Sequence, residues 1–414
     1  MSRAKRPVIV LCPHFAPDTA PTGVVITRIV DELVALGHRV HVVTSLPWYR
    51  THTVEPEWRG ARIRRETTEW GTITRVDPCA SGDKSNLVRR AAGFLGFTWL
   101  VGLEALKIGG WFGRAETVIA MSPPLTLGIT GWFVARTKRA TSIFNIQDVF
   151  PDAAIETRAI TNPTVIAAAR GLERMSYVLV DAVTVLSDDL RDNVAAKLSA
   201  GSADKIHVIP NFVDSDAIRP GHRMTEYRAE LGIGDEPVVL YAGNVGFSQS
   251  LDLVVHAARL LPQVTFLVNG DGAARPALER AASDLANVRF AGYIPIERLS
   301  ELLASGDVHV VPLKSGLGRV SVPSKTYSIM AAGRPVVAAI DPDTAVPRIL
   351  AESGGGLAVP PDDADAFTEA IRSVLADPFE ALSMGERGRA WVEANASPRA
   401  VGAHYATLIT SLRR

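Results

Sequence analysis

Residues 7–43 read PVIVLCPHFAPDTAPTGVVITRIVDELVALGHRVHVV. The uninterrupted apolar run Val8–Leu11 suits a strand covered on both faces, as parallel strands are. A loop carrying Pro13, Pro17, Pro21 and Gly23 follows. Val25, Ile29, Leu33 and Leu36 then recur at helical spacing, Gly37 supplies a stop, and residues 40–43 form a second apolar run. Strand, helix and strand in this order make a βαβ unit, which requires a parallel sheet.

The same alternation continues outward. Residues 117–120, 141–146 and 182–185 are apolar runs, each followed by a helical segment. After Lys205 comes Ile209-Pro210-Asn211-Phe212-Val213-Asp214, then a polar stretch with Pro220, Gly221 and His222, where a linker is expected. Residues 238–242, 264–269, 288–290, 308–312 and 336–339 repeat the pattern. The fold class is therefore α/β, with two doubly wound parallel-sheet domains over residues 1–212 and 213–397. In such sheets ligands sit beyond the carboxyl ends of the strands. Residues 398–414 are expected to form a helix returning to the first domain.

A chain of 414 residues exceeds one compact core and fits two domains of ordinary size. Its 44 basic residues balance 44 acidic ones, so no overall field favours nucleic acid, and any phosphate site must be local. Cys12 and Cys79 are its only cysteines, too few for a disulfide scaffold and not spaced as metal ligands. The run behind Arg3, Lys5 and Arg6 is too short for a signal-peptide core, so a cytoplasmic location is expected. The apolar stretch around Phe94, Leu95, Phe97, Trp99 and Leu100 is interrupted by Glu104 and Lys107 before it reaches spanning length.

Several strand ends carry chemistry. Gly270-Asp271-Gly272 follows one strand, and Tyr241-Ala242-Gly243-Asn244-Val245-Gly246, with Gln249 beyond, ends another. Glycines there let backbone amides approach an anion, although a tight turn capped by Asp271 explains the first triplet equally well. Val322-Pro323-Ser324-Lys325 opens a helix: Ser324 is a candidate cap and Lys325 a candidate cation, its alternative being a solvated surface lysine. Asp341 and Asp343 have metal-pair spacing but lie in a turn, and Asp188 and Asp189 begin a helix, so no metal site is expected.

At this point the chain resembles the retaining two-domain glycosyltransferases of the GT-B architecture, family-4-like. The carriers are Gly37-His38-Arg39-Val40, the Ile209 to Asp214 run, Tyr241-Ala242-Gly243-Asn244, Asn269-Gly270-Asp271-Gly272, Gly292-Tyr293-Ile294, and Met330-Ala331-Ala332-Gly333-Arg334-Pro335-Val336-Val337. Together they span nearly the whole chain. The Pro-Ser-Lys helix start resembles the N-acetylfucosamine and colanic-acid transferase subgroup.

The resemblance implies two domains facing a cleft and a nucleotide-diphosphate sugar, UDP-sugar first, as the donor, with no cofactor or metal. The implied acceptor is a glycan or polyprenyl-linked glycan of the cell envelope. It assigns the donor to Gly23, Gly243, Asn244, Gly246, Gln249, Gly270, Asp271, Gly272, Tyr293, Ile294, Ser324 and Lys325, and the acceptor to Pro21, Thr22 and Asn211. Thr22 is also a candidate helix cap.

The chain departs from the family where an arginine and a lysine normally hold the diphosphate, since Asn244 and Gln249 stand there. The family's paired glutamates fall on Val320 and Ser328. Lys325 is therefore assigned to the diphosphate, with Arg319 and Lys314 as further candidates. Many relatives have a histidine where Gln147 stands, followed by Asp148. Asp148, Gln147 and Lys325 are the candidate catalytic residues; Gln147 can only hydrogen-bond, and Asp148 can also simply close the turn before Pro151.

Residues 86–113 fit either a surface docking on the inner leaflet, through Arg89, Arg90, Trp99 and Trp111, or a helix pair packed on the first sheet. A sugar-nucleotide 2-epimerase and a noncatalytic sugar-nucleotide scaffold share this architecture and stand as rival functions.

Overall fold

The computed structural model describes residues 6–50, 52–79, 87–111, 113–147, 162–198, 202–318 and 324–413, with side chains from residue 93 onward in the helix that begins at Leu87. It divides into two compact units, Met1–Asn211 with Val401–Arg414, and Phe212–Ala400.

The first unit is built on strands β1 (Val8–Leu11), β2 (Val40–Ser45), β3 (Ile63–Thr68), β4 (Gly71–Val76), β5 (Thr117–Met121), β6 (Thr141–Asn145), β7 (Ala182–Val185) and β8 (Ile206–Val208). They form one sheet in the order β3-β4-β2-β1-β5-β6-β7-β8. All neighbouring pairs are parallel except β3 with β4. That antiparallel hairpin was not read from sequence. β3 is a half-exposed edge strand, and its Ile-Arg-Arg-Glu-Thr-Thr run lacks the apolar signature of the buried strands.

β1 is completely buried, and the helix Pro21–Ala35 that follows buries Ile26, Ile29, Val30 and Leu33. Each such aliphatic side chain contributes about 1.5–3 kcal/mol relative to exposure. The chain's last helix, Pro398–Ser411, contributes Tyr405, 1% exposed, to this unit. Its hydroxyl accepts from Asn145 Nδ2 at 2.7 Å and lies 3.2 Å from the Thr184 hydroxyl, beneath the carboxyl ends of β6 and β7.

The second unit contains β9 (Val238–Ala242), β10 (Thr265–Asn269), β11 (Val288–Ala291), β12 (Val308–Pro312), β13 (Val336–Ala339) and β14 (Gly356–Val359), all parallel, in the order β11-β10-β9-β12-β13-β14. After β9 the chain goes first to β10 on one side and later to β12 on the other. The strand order thus reverses between β9 and β12, and between β1 and β5 in the first unit. Loops leaving a sheet at such a point diverge to opposite faces and open a crevice at the carboxyl rim.

Among the described residues no helix is long and apolar enough to cross a membrane, and both cysteines are free thiols, Cys12 buried and Cys79 half-buried.

Candidate functional site

The second unit's crevice is framed by two glycine turns. β9 and β10 run in register to Ala242 and Asn269, so the turns after them lie side by side. Gly243 N donates to Asn269 O at 2.8 Å and Val245 N to Asp271 O at 2.9 Å. Gly270 has φ +146°, and a Cβ there would stand 1.9 Å from Gly243 O. Gly243 has φ +133°, and its Cβ would stand 2.6 Å from Lys325 Cε. Only glycine tolerates such a backbone at this separation.

Lys325 is the first residue of the helix Lys325–Ala331, which follows β12 across the switch point. Its ammonium donates to the Tyr241 hydroxyl at 2.5 Å and lies 4.1 Å from that ring's centre. The Tyr241 hydroxyl in turn donates to Asn244 O at 2.5 Å. Among the described residues no carboxylate pairs with Lys325. Burial without a counter-charge brings its ammonium down to about 8 and pushes the Tyr241 phenol above its usual range.

The glycines' own amides are engaged within the protein. Gly243, Val245, Gly246, Gly270 and Gly272 all direct their N–H groups to acceptors within the protein. The amides of Asn244, Phe247 and Ser248 have no acceptor among the described residues, so the turn offers those three instead.

Gln249 accepts from Gly246 N at 3.0 Å and donates to Ser248 Oγ at 3.0 Å, bracing the turn from inside. The Asp271 carboxylate accepts from Gly272 N at 2.7 Å and caps no helix, since the next helix begins at Arg275. Tyr293, 63% exposed, donates to Asp271 O at 3.1 Å. Ile294 packs into a core cluster with Tyr227 and Leu267. Ser324 has helical backbone angles and makes no capping bond with its side chain, so its expected capping role is not realised. Lys314 lines a cavity of about 470 Å³ with Gly246, Phe247 and Gln249. Arg319 and Val320 lie outside the described residues.

The acidic pairs have structural roles. Asp341 accepts from the amides of Gly316 and Gly318 at 2.9 Å, and Asp188 and Asp189 fill the first turn of a helix capped by Ser187. Among the described residues no group of three histidine, cysteine or acidic side chains could hold a metal ion.

In the first unit, Gln147 is 7% exposed and both ends of its amide are engaged: Nε2 donates to Asn145 Oδ1 at 2.7 Å, and Asn211 Nδ2 donates to its oxygen at 3.0 Å. This relay braces the rim above Tyr405 and commits the Asn211 amide inward. Asp148 lies outside the described residues. Pro21 opens its helix behind Ala20, so Thr22 is inside the first turn and caps nothing. Gly23 abuts His14, its hypothetical Cβ 2.9 Å from His14 Cβ.

Two features escaped the sequence reading. Tyr241 was visible only as the end of a strand, although it holds both the Lys325 ammonium and the turn. The loops after β1 and β2 bring together His14, Asp18, Trp48 and Tyr49.

Residues 22–211 match the family model described as "Glycosyl transferase 4-like domain", and residues 236–377 match "Glycosyl transferases group 1". The two matches fall one on each unit, and together they take in about four fifths of the chain. The chain belongs to the GT-B glycosyltransferases of the 4-like type.

Among its relatives, this glycosyltransferase is 26% identical to WcaI of Escherichia coli strain K12, named for colanic acid biosynthesis, over 87% of this chain and 90% of that protein. It is 30% identical to the GDP-mannose-dependent alpha-(1-6)-phosphatidylinositol monomannoside mannosyltransferase of Mycolicibacterium smegmatis, over 56% of this chain and 63% of that protein. In fold it resembles the sucrose-phosphate synthase of Thermosynechococcus elongatus, with a TM-score of 0.69, 21% identity and coverage of 98% and 99% of the two chains.

Proposed function

We propose that the protein is a retaining, metal-independent glycosyltransferase that moves a sugar from a nucleoside diphosphate, UDP-sugars first, to a glycan or polyprenyl-linked acceptor. One observation carries this reading: the half-buried Lys325 ammonium lies against the Gly243 turn at the switch point, and among the described residues no carboxylate stands beside it. A desolvated cation without a counter-charge is costly, and an arriving diphosphate supplies the missing charge. The amides of Asn244, Phe247 and Ser248, which have no acceptor among the described residues, are the neutral donors this reading assigns to the same anion.

In retaining transfer the bond from the sugar's anomeric carbon to the phosphate oxygen breaks while a bond to the acceptor oxygen forms on the same face. The departing phosphate takes the acceptor's proton. The protein's part is to stabilise the charge growing on that phosphate, and one preorganised donor is worth about 3 kcal/mol of barrier. Lys325 fills the place that a divalent ion takes in other transferases. The names of the two relatives, one for colanic acid and one for a phosphatidylinositol mannoside, support an envelope or lipid-linked acceptor.

Native mass spectrometry of the purified chain with UDP-, GDP-, ADP- and dTDP-sugars, in EDTA, identifies the donor. NMR of the product then reads the new linkage. Inversion at the anomeric carbon rejects retention, and dependence on added metal rejects the lysine's role.

Membrane docking through the first unit is part of this reading. In the helix Leu87–Lys107, Phe97 and Val101 are buried while Leu95 and Trp99 are 59% and 69% exposed, and Phe133 on the adjoining helix Thr126–Lys138 is exposed as well. One face thus packs inward and the other offers apolar rings to a bilayer interface. Sedimentation with anionic but not neutral vesicles is the expected result.

A further inference from the structure

In the first unit, the loop after β1 and the loop after β2 meet at the carboxyl rim, and β1 is one of the two strands at that unit's switch point. Asp18 is 4% exposed. Its carboxylate accepts from His14 Nδ1 at 2.7 Å and from the amides of Tyr49 at 3.3 Å and Trp48 at 3.4 Å. Burial alone would raise its pKa, but the hydrogen bond and charge of His14 together with the two amides hold it below the usual carboxylate range.

An ionised carboxylate only accepts, so the proton of the neutral His14 ring is on Nδ1 and the lone pair on Nε2. Nε2 has no partner among the described residues, and the His14 side chain is 11% exposed. The ring is held on two further sides: Trp48 stacks on it with centroids 5.5 Å apart at 26°, and Tyr49, 41% exposed, stands edge-on at 5.5 Å.

Hydrogen bonds tie the surrounding loop to its neighbours. Arg75, 1% exposed and paired with Glu66, donates to Ala16 O at 2.6 Å. The Ser45 hydroxyl donates to Pro13 O at 2.5 Å, and Ala16 N donates to the Thr27 hydroxyl at 3.0 Å. Arg75 is balanced by Glu66, and the Asp18 carboxylate is held by three donors. With its ring neutral, His14 offers one acceptor nitrogen beside an aromatic wall, and that chemistry suits a neutral, hydroxyl-bearing ring.

We propose that His14, oriented by Asp18, accepts a hydrogen bond from a hydroxyl of the acceptor sugar, whose ring lies against Tyr49 and Trp48. The inference rests on the acceptor being a carbohydrate, as the proposed function holds.

The test uses the full chain labelled with 15N-histidine, titrated by NMR with the methyl glycosides of glucose, galactose, mannose and N-acetylglucosamine. Before sugar is added, His14 should show the Nδ1–H form; at least one glycoside should then move its Nε2 resonance. H14N keeps a donor where Nδ1 stood and loses the outward nitrogen, whereas H14Q places its amide outward. H14N should weaken glycoside binding about tenfold with the melting temperature unchanged. H14Q should bind more tightly than H14N, and Y49A should bind more weakly than the parent.

If no glycoside moves Nε2, or if H14N binds as tightly as the parent, the proposal is overturned. UDP binding by K325M, measured alongside, separates the two readings. Unchanged UDP affinity there removes the donor reading and leaves this one standing, while loss of UDP binding with unaltered glycoside shifts in H14N does the reverse.

Discussion

Gly243 and Lys325 are packed so closely that a single methyl group on the former would stand 2.6 Å from Cε of the latter. The turn after β9 and the helix after β12 therefore form one object, and a change on either side is felt on the other.

Gly243→Ala tests that contact. It combines a positive φ that alanine resists with a clash that displaces the ammonium. A stability loss of about 1–3 kcal/mol is expected, together with loss of nucleoside-diphosphate binding. Calorimetry and titration of the same sample check both, and unchanged UDP affinity would detach the turn from the site.

Lys325→Met removes the charge and keeps the volume. Since the ammonium is desolvated and no carboxylate pairs with it among the described residues, the ligand-free variant should melt higher than the parent, by roughly 2–4 °C per kcal/mol relieved. Transfer should fall by a factor on the order of 100 to 1,000. A variant that melts lower, with transfer intact, would mean that Lys325 is a structural donor to Tyr241 alone.

The pH dependence follows from the same group. With the free ammonium losing its proton near 8, UDP affinity should be level below that point and fall by up to tenfold per pH unit above it, until the complex itself deprotonates. K325M should show no such fall. The sign for ligand-free stability is opposite. Between about 8 and the ordinary lysine value of 10.5 the unfolded chain keeps a proton that the folded chain has shed, so this group's penalty is relieved as pH rises. Isothermal titration across this range measures the first effect and thermal melts the second.

Tyr405→Phe removes the hydroxyl shared by Asn145 and Thr184. A loss of about 1 kcal/mol is expected, because Asn145 keeps its bond to Thr184 at 3.0 Å. The amide relay through Gln147 to Asn211 should loosen as well, which hydrogen exchange at the end of β6 would report.

The two sheets were legible because their strands are buried on both faces, and uninterrupted runs such as Val8–Leu11 or Val238–Ala242 leave little alternative. The glycine turns and Lys325 were legible because positive φ and an isolated cation at a helix start are local properties. The unread parts depend on contacts distant in sequence. Asp18 meets the Trp48 amide thirty residues away, and Tyr241 meets Lys325 eighty-four residues away. Neither pair leaves a periodic trace. Ser324 shows the converse: a capping residue at the right place, with backbone angles already helical, has no geometry in which to cap.

The helix Pro398–Ser411 gives the chain a particular order of completion. Tyr405 reaches the base of the rim that carries Gln147, yet it is made only after the whole of the second unit. The first unit must therefore wait, with its Asn145 and Thr184 side chains unsealed, until synthesis has passed through the whole of the second. A cut within this helix would reach back to a rim made hundreds of residues earlier.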